Sequence, residues 1–182
     1  RPLALAAGVL ELGNKPVLAL VVEKDGSRHL QLHQPDVAMA IQKLNKAYKA
    51  NPSIVAFHDM DQDGQNDLLL LAPFEKIKVL VNRVDADFEE VDVAPPSGTL
   101  DNPTFNTADV DGDGKTELLL AQQNFLRAVK LEKQNEKWRL RVKDQINGAG
   151  TDSRLLTAVA LHAGGDQTAL LLQDTARKEL TV

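Results

Sequence analysis

The chain of 182 residues contains no cysteine, and this absence excludes several kinds of site. Without thiols there can be no disulfide framework, no thiolate metal centre and no covalent haem attachment. Long apolar runs are missing too, since no run approaches the ~20 residues that cross a bilayer as a helix. The segment 4–12 is apolar but too short, and wrongly flanked, for a signal peptide.

Sequence patterns of common catalytic sites are also missing. The serines at 27, 53, 97 and 153 do not lie in a nucleophile-elbow context, and no glycine-rich phosphate loop is present. Aromatic residues make up only 4% of the chain, so stacking platforms for sugars are scarce. We therefore expect a protein that is not an enzyme.

The charge is concentrated rather than spread along the chain. The net charge is −5, but eight acids lie in two short segments, and the remainder of the chain would carry +3. Nucleic-acid binding needs a basic stripe, which this distribution does not provide. It gives equally little support for binding to an anionic membrane surface.

Two acidic loops, 59–67 and 109–117, share one pattern: acids at positions 1, 3, 5 and 9 and glycine at position 6. The acids are Asp59, Asp61, Asp63 and Asp67 in the first loop, and Asp109, Asp111, Asp113 and Glu117 in the second. Calcium takes about six to eight oxygen ligands, and alternate residues of a tight loop can direct their oxygens at one point. The pattern predicts two Ca²⁺ sites.

Position 6 of each loop is occupied by Gly64 or Gly114, which permits a positive φ in the sharp turn. Position 7 holds Gln65 in the first loop and Lys115 in the second. A lysine side chain would repel a cation, so we expect these two residues to contribute only their backbone carbonyls.

An EF-hand and a metal-free turn are the two other interpretations of the loops. An EF-hand needs a bidentate Glu at position 12, where this chain has Leu70 and Leu120. Short apolar runs follow both loops and indicate strands rather than helices. Asp- and Gly-rich turns that bind nothing are common, but so many carboxylates in one register, twice, would repel one another without a cation.

The strand after each loop recurs at a regular spacing along the chain. Aligned on positions 16, 67, 117 and 169, the repeats are 51, 50 and 52 residues apart. Acids are absent from the ligand positions of the first and fourth copies, so we expect those loops to be metal-free turns. Self-similarity at this period is typical of propellers and other repeat arrays.

Each repeat is predicted to contain four antiparallel strands, as a propeller blade does. In the second repeat we predict strands at 54–57, 67–72, 77–82 and 88–93. In the third repeat we predict strands at 104–108, 117–121, 127–132 and 137–142. The predicted blades are 1–35, 53–100, 101–150 and an incomplete 151–182, all within one propeller or part of one.

A helix is predicted between the first and second blades, in an insert spanning 36–52. Within 36–50, apolar residues recur at i, i+3, i+4 and i+7, with lysines mainly on the other side. Asp36 could cap the helix and Pro52 could end it.

The loop pattern D-x-D-x-D-G-x-x-[DE]-[LI], followed by an aliphatic strand, resembles the FG-GAP and VCBS repeats. That family includes the calcium-binding blades of integrin α-subunit propellers. The resemblance implies that all ten positions named above supply calcium ligands, Gln65 and Lys115 through their carbonyls. It also implies a secreted, periplasmic or cell-surface location.

The function implied is that of a calcium-stabilised propeller that serves as a structural, protein-interaction or adhesion module. The ring would close with other blades or with a second chain. An alternative is that the chain is part of a larger propeller that binds carbohydrate or carries an active site elsewhere.

Overall fold

A computed structural model describes residues 1–11, 15–83, 87–96, 98–162 and 168–182. These residues form fifteen β-strands in four antiparallel sheets, and they contain no helix. The expectation of an all-β chain is therefore confirmed. Among the described residues there is accordingly no helix that could cross a membrane.

The first two sheets occupy the first half of the chain. Sheet 1 contains β1 (Pro2–Gly8), β2 (Val17–Lys24), β3 (Ser27–His33) and β4 (Ala40–Lys43), in that spatial order. Sheet 2 contains β5 (Ile54–His58), β6 (Asp67–Leu71), β7 (Ile77–Val81) and β8 (Glu89–Val93), again in sequence order. Within each of these two sheets, strands that are consecutive in the chain are paired.

The other two sheets follow the same rule. Sheet 3 contains β9 (Thr107–Ala108), β10 (Glu117–Gln122), β11 (Phe125–Gln134) and β12 (Lys137–Asn147). Sheet 4 has three strands, β13 (Leu155–His162), β14 (Thr168–Asp174) and β15 (Glu179–Thr181). The predicted strands of the second repeat match sheet 2 to within one residue at each end, whereas in sheet 3 β9 is shorter, and β11 and β12 are longer, than predicted.

The second strand of every sheet reproduces the spacing seen in the sequence. These strands begin at Val17, Asp67, Glu117 and Thr168. All five residues of β6 are buried, and so are the first four of β10. A strand covered on both faces needs no polar alternation, which explains the unbroken leucine runs.

The predicted helix at 36–50 is wrong. Residues 40–43 instead form β4, which pairs with β3 from Leu32↔Ala40 to His29↔Lys43. Asp36, the proposed cap, has a φ of 64°, whereas a helix N-cap has an extended backbone.

Tertiary contacts explain why this segment is a strand. β4 satisfies the open edge of β3, whose backbone groups a helix would leave unpaired. The Gln42 side chain donates to Phe88 O at 2.9 Å and accepts from Phe88 N at 2.9 Å, which ties β4 to sheet 2. The apolar residues predicted to share one helix face also differ in burial, since Ile41 is 55% exposed while Leu44 is buried.

The chain divides into two compact units, Arg1–Val93 and Ala94–Val182. In the first, sheets 1 and 2 share a core that contains Val21, Leu30, Leu68 and Leu80. In the second, residues of sheets 3 and 4, among them Leu119, Leu126, Leu155 and Leu172, form another core. Two sheets packed face to face bury apolar side chains from both.

The assembly of these sheets as blades of one propeller, with the boundaries given above, stays a prediction. The loops of the first and fourth repeats, which we expect to be metal-free, lie partly outside the described residues, at 12–14 and 163–167.

Candidate metal centre

Both acidic loops connect the first and second strands of a sheet. The first acidic loop (59–67) joins β5 to β6, and the second acidic loop (109–117) joins β9 to β10. The strand pairs His58↔Asp67 and Ala108↔Glu117 close the two loops at their base. The two loops thus occupy equivalent positions in sheets 2 and 3 and share the same local fold.

The first carboxylate of each loop is held by backbone N–H groups. Asp59 accepts hydrogen bonds from Asp63 N at 3.0 Å and Gly64 N at 2.8 Å. Asp109 accepts from Gly112 N at 2.7 Å and Gly114 N at 2.9 Å. In both loops the acid at position 1 therefore receives the N–H of the glycine at position 6, which closes the turn.

The ninth residue of each loop is a buried acid that begins the second strand. Asp67 is 1% exposed and Glu117 is fully buried. Asp67 accepts from Met60 N at 3.0 Å and from Asn82 N at 2.8 Å. Glu117 accepts from Val110 N at 3.3 Å. The bonds from Met60 and Val110, the second residues of the loops, orient both carboxylates towards the start of the loop.

The acids at positions 1, 3 and 9 converge in each loop. One oxygen from each of Asp59, Asp61 and Asp67 lies within 4.8 Å of the other two. The same holds for Asp109, Asp111 and Glu117. Six of the ten sequence-predicted ligands are thus brought together in two separate groups.

The acids at position 5 have a different role in this structure. Asp63 Oδ1 accepts from Gln65 N at 2.8 Å, and Asp113 Oδ1 accepts from Lys115 N at 2.9 Å. Neither acid belongs to the converging groups. At position 7, Gln65 also forms an isolated β-bridge with Glu11.

Left-handed backbone occurs twice in each loop. Gly64 and Gly114 have φ values of 95° and 81°, as expected for position 6. Position 4 also has a positive φ, with Gln62 at 62° and Gly112 at 76°. The positive φ at position 4 was not predicted from the sequence. Gly112 could have indicated it, because glycine adopts this conformation without strain.

The first acidic loop brings several carboxylates together in a partly buried site. Burial raises the pKa of Asp67 to about 7, even though the N–H groups of Asn82 and Met60 lower it. Burial also raises the pKa of Asp61, and the neighbouring charge of Asp63 adds to the increase. The Arg83 guanidinium lies 3.7 Å from Asp61 but is also bound to Glu89 at 2.9 Å.

A lysine side chain forms an ion pair with the second acidic loop. The Lys143 ammonium, on β12, contacts Asp111 Oδ2 directly and lies 4.0 Å from Asp113 Oδ2. The hydrogen bond from Lys143 lowers the pKa of Asp111, although burial acts in the opposite direction. The sequence contained no signal for this contact, because Lys143 belongs to a different strand of the sheet.

The residues present fit a hard divalent cation. All six converging ligand atoms are carboxylate oxygens, the donor type that Ca²⁺ prefers. In the first acidic loop, Asp61 Oδ1 is buried and has no hydrogen-bond partner among the described residues. A buried charged oxygen without a partner is costly, and a bound cation would satisfy it.

Comparison with known families agrees with this geometry. Residues 59–120, which run from the start of the first acidic loop into β10, match the model of the FG-GAP-like repeat. This part of the chain is similar to an FG-GAP-like repeat. The match includes both acidic loops, so the resemblance seen in the sequence is confirmed there. A search of curated proteins found no match to the chain.

Proposed function

We propose that the chain is a calcium-stabilised β-propeller module with one Ca²⁺ in each acidic loop. The observation that carries the proposal is the duplicated convergence of three carboxylates within an FG-GAP-like repeat. Asp59, Asp61 and Asp67 would hold one ion, and Asp109, Asp111 and Glu117 the other. The carbonyls of Gln65 and Lys115, with Asp63 and Asp113 after rotation of their side chains, would complete the ligand sets.

The ion would act on stability through the acids themselves. Asp67 and Glu117 begin the buried strands β6 and β10, so a cation between them and the loop would link each turn to its sheet. It would also neutralise carboxylates that otherwise repel one another. A ligand that binds only the folded state increases the free energy of unfolding.

The proposed role of the module is structural or in protein interaction and adhesion, not catalysis. The propeller would be completed by further blades or by a second chain. A secreted, periplasmic or cell-surface location accords with sites that require abundant calcium. Fractionation of the native cell tests the location, and a cytosolic protein would contradict it.

Calorimetric titration of Ca²⁺ into chelator-treated protein tests the metal proposal directly. The expected result is about two ions per chain, with a rise in melting temperature measured in parallel. A matched titration with Mg²⁺ should give weaker heats, because Mg²⁺ demands octahedral geometry and dehydrates reluctantly. Absence of Ca²⁺ binding at millimolar concentration would overturn the proposal.

A further inference from the structure

The two acidic loops differ in how closely a basic side chain approaches the acid at position 3. In the second loop, the Lys143 ammonium contacts Asp111 Oδ2 directly, and Asp113 Oδ2 lies within 4.0 Å of the same nitrogen. The Lys143 side chain is only 18% exposed, so it is packed in this position rather than extended into solvent.

The basic residue near the first loop forms only a longer ion pair with the acid at position 3. Arg83 Nη1 lies 3.7 Å from Asp61 Oδ2, beyond hydrogen-bond distance. Its Nε and Nη2 bind Glu89 at 3.2 and 2.9 Å, and Nη1 lies 3.3 Å from Asn82 O. The guanidinium thus shares its donors with other acceptors, and Asp61 Oδ1 has no hydrogen-bond partner among the described residues.

Exposure of the acids adds to the difference. The Asp61 side chain is 12% exposed, whereas that of Asp111 is 37% exposed. Charge interactions are stronger at the less exposed site, because water screens them less.

We propose that Lys143 is a built-in competitor of the metal, so that the first acidic loop binds Ca²⁺ more tightly than the second. This inference rests on the proposed calcium function and adds a specificity-determining residue to it. Calcium can take Asp111 only if the Lys143 ammonium leaves that oxygen.

The expected difference is modest but measurable. Breaking a partly exposed ion pair and leaving an ammonium near a dication should weaken binding about tenfold. At calcium concentrations between the two dissociation constants, the unit Arg1–Val93 would hold its ion while the unit Ala94–Val182 would not. The chain would then respond to calcium in two steps.

The test measures each loop alone by calorimetry. Asp61→Ala removes a ligand of the first loop and leaves the second to be titrated, and Asp111→Ala does the reverse. We expect the Kd of the second loop to exceed that of the first about tenfold, and Lys143→Gln in the Asp61→Ala protein to remove most of this difference.

Matched variants separate charge from packing. Lys143→Arg keeps the positive charge and should keep the weak binding, whereas Lys143→Met, like Lys143→Gln, should tighten it. Arg83→Gln in the Asp111→Ala protein should change the Kd of the first loop less than about threefold. If a Lys143 variant fails to fold, equal Kd values for the two loops with Lys143 intact would still overturn the inference.

The outcomes distinguish this inference from the function on which it rests. Equal Kd values for the two loops, or a second-loop Kd unchanged by Lys143→Gln, would overturn the inference and leave the calcium function standing. No binding by the unsubstituted chain would remove the function itself. Tighter binding by the second loop than by the first would also overturn the inference.

Discussion

Lys78 Nζ lies 2.9 Å from Asp92 Oδ1, and the lysine side chain is completely buried between neighbouring strands. The same nitrogen lies 3.1 Å from Glu90 Oε2 and sits over the Tyr48 ring, 5.1 Å from its centroid. Lys78 is on β7, and both acids are on the adjacent β8. Its charge therefore joins β7 to β8, the strand at one edge of sheet 2.

Removal of this lysine charge should destabilise the first unit. Lys78→Met keeps the apolar stem but leaves Glu90 and Asp92 without their cation, at a cost of about 2 kcal/mol in the free energy of unfolding. Thermal melting followed by circular dichroism measures the loss. The triple variant Lys78→Met, Glu90→Gln, Asp92→Asn should recover part of it, and a triple variant less stable than the single one would contradict the argument.

A close approach of backbone to an aromatic ring occurs at Gly8, the last residue of β1. A Cβ at this position would lie 2.4 Å from Phe57 Cδ2 and 2.6 Å from Phe57 Cγ. Gly8→Ala should therefore lower the free energy of unfolding by about 1–3 kcal/mol, as overpacking does. Adding Phe57→Leu should restore part of the stability, and purely additive losses would show that the two residues do not compete for space.

Loss of a ligand should matter only when calcium is present. Asp61→Ala should remove a stabilisation of about 2.7 kcal/mol at a calcium concentration 100 times the Kd. In chelator the same substitution should change the melting temperature little, since it removes a crowded acid. Asp111→Ala should behave alike, with a smaller loss in calcium. Equal losses with calcium and with chelator would mean that Asp61 stabilises the loop without a metal.

The stability of the second unit should fall in acid through Asp174. Burial by itself would raise the pKa of Asp174, but the N–H groups of Arg154, Arg177 and Ala176 and the Ser153 hydroxyl lower it to about 2, below the 3.8 of a free aspartate. The ionised carboxylate thus stabilises the fold above pH 3.8, and this contribution is lost as the pH falls towards 2.

Comparison with Asp174→Asn isolates this contribution. The difference in melting temperature between the original chain and the variant should be full at pH 6 and shrink as the pH approaches about 2. A difference that stays constant across this range would assign the effect of the substitution to lost packing rather than to the carboxylate charge.

Much of the candidate site could be predicted from the sequence because its geometry is local. Nine residues with acids at positions 1, 3, 5 and 9 need only a turn and the start of a strand to bring three carboxylates together. The glycines at 64 and 114 supply the required positive φ. The role of Asp63 and Asp113 could not be predicted in the same way. One oxygen of each acid accepts a hydrogen bond from the backbone N–H two residues further on.

The sequence by itself determined the all-β class, the fifty-residue spacing and the two acidic loops, since these follow from short-range periodicity and turn chemistry. Tertiary structure decided that residues 40–43 form a strand, because the open edge of β3 offered hydrogen bonds that outweighed a helical pattern. It also decided that Lys143 meets Asp111, because a neighbouring strand places the ammonium at the loop. Contacts between residues far apart in the chain depend on tertiary packing, and the periodicity of a short segment carries no information about them.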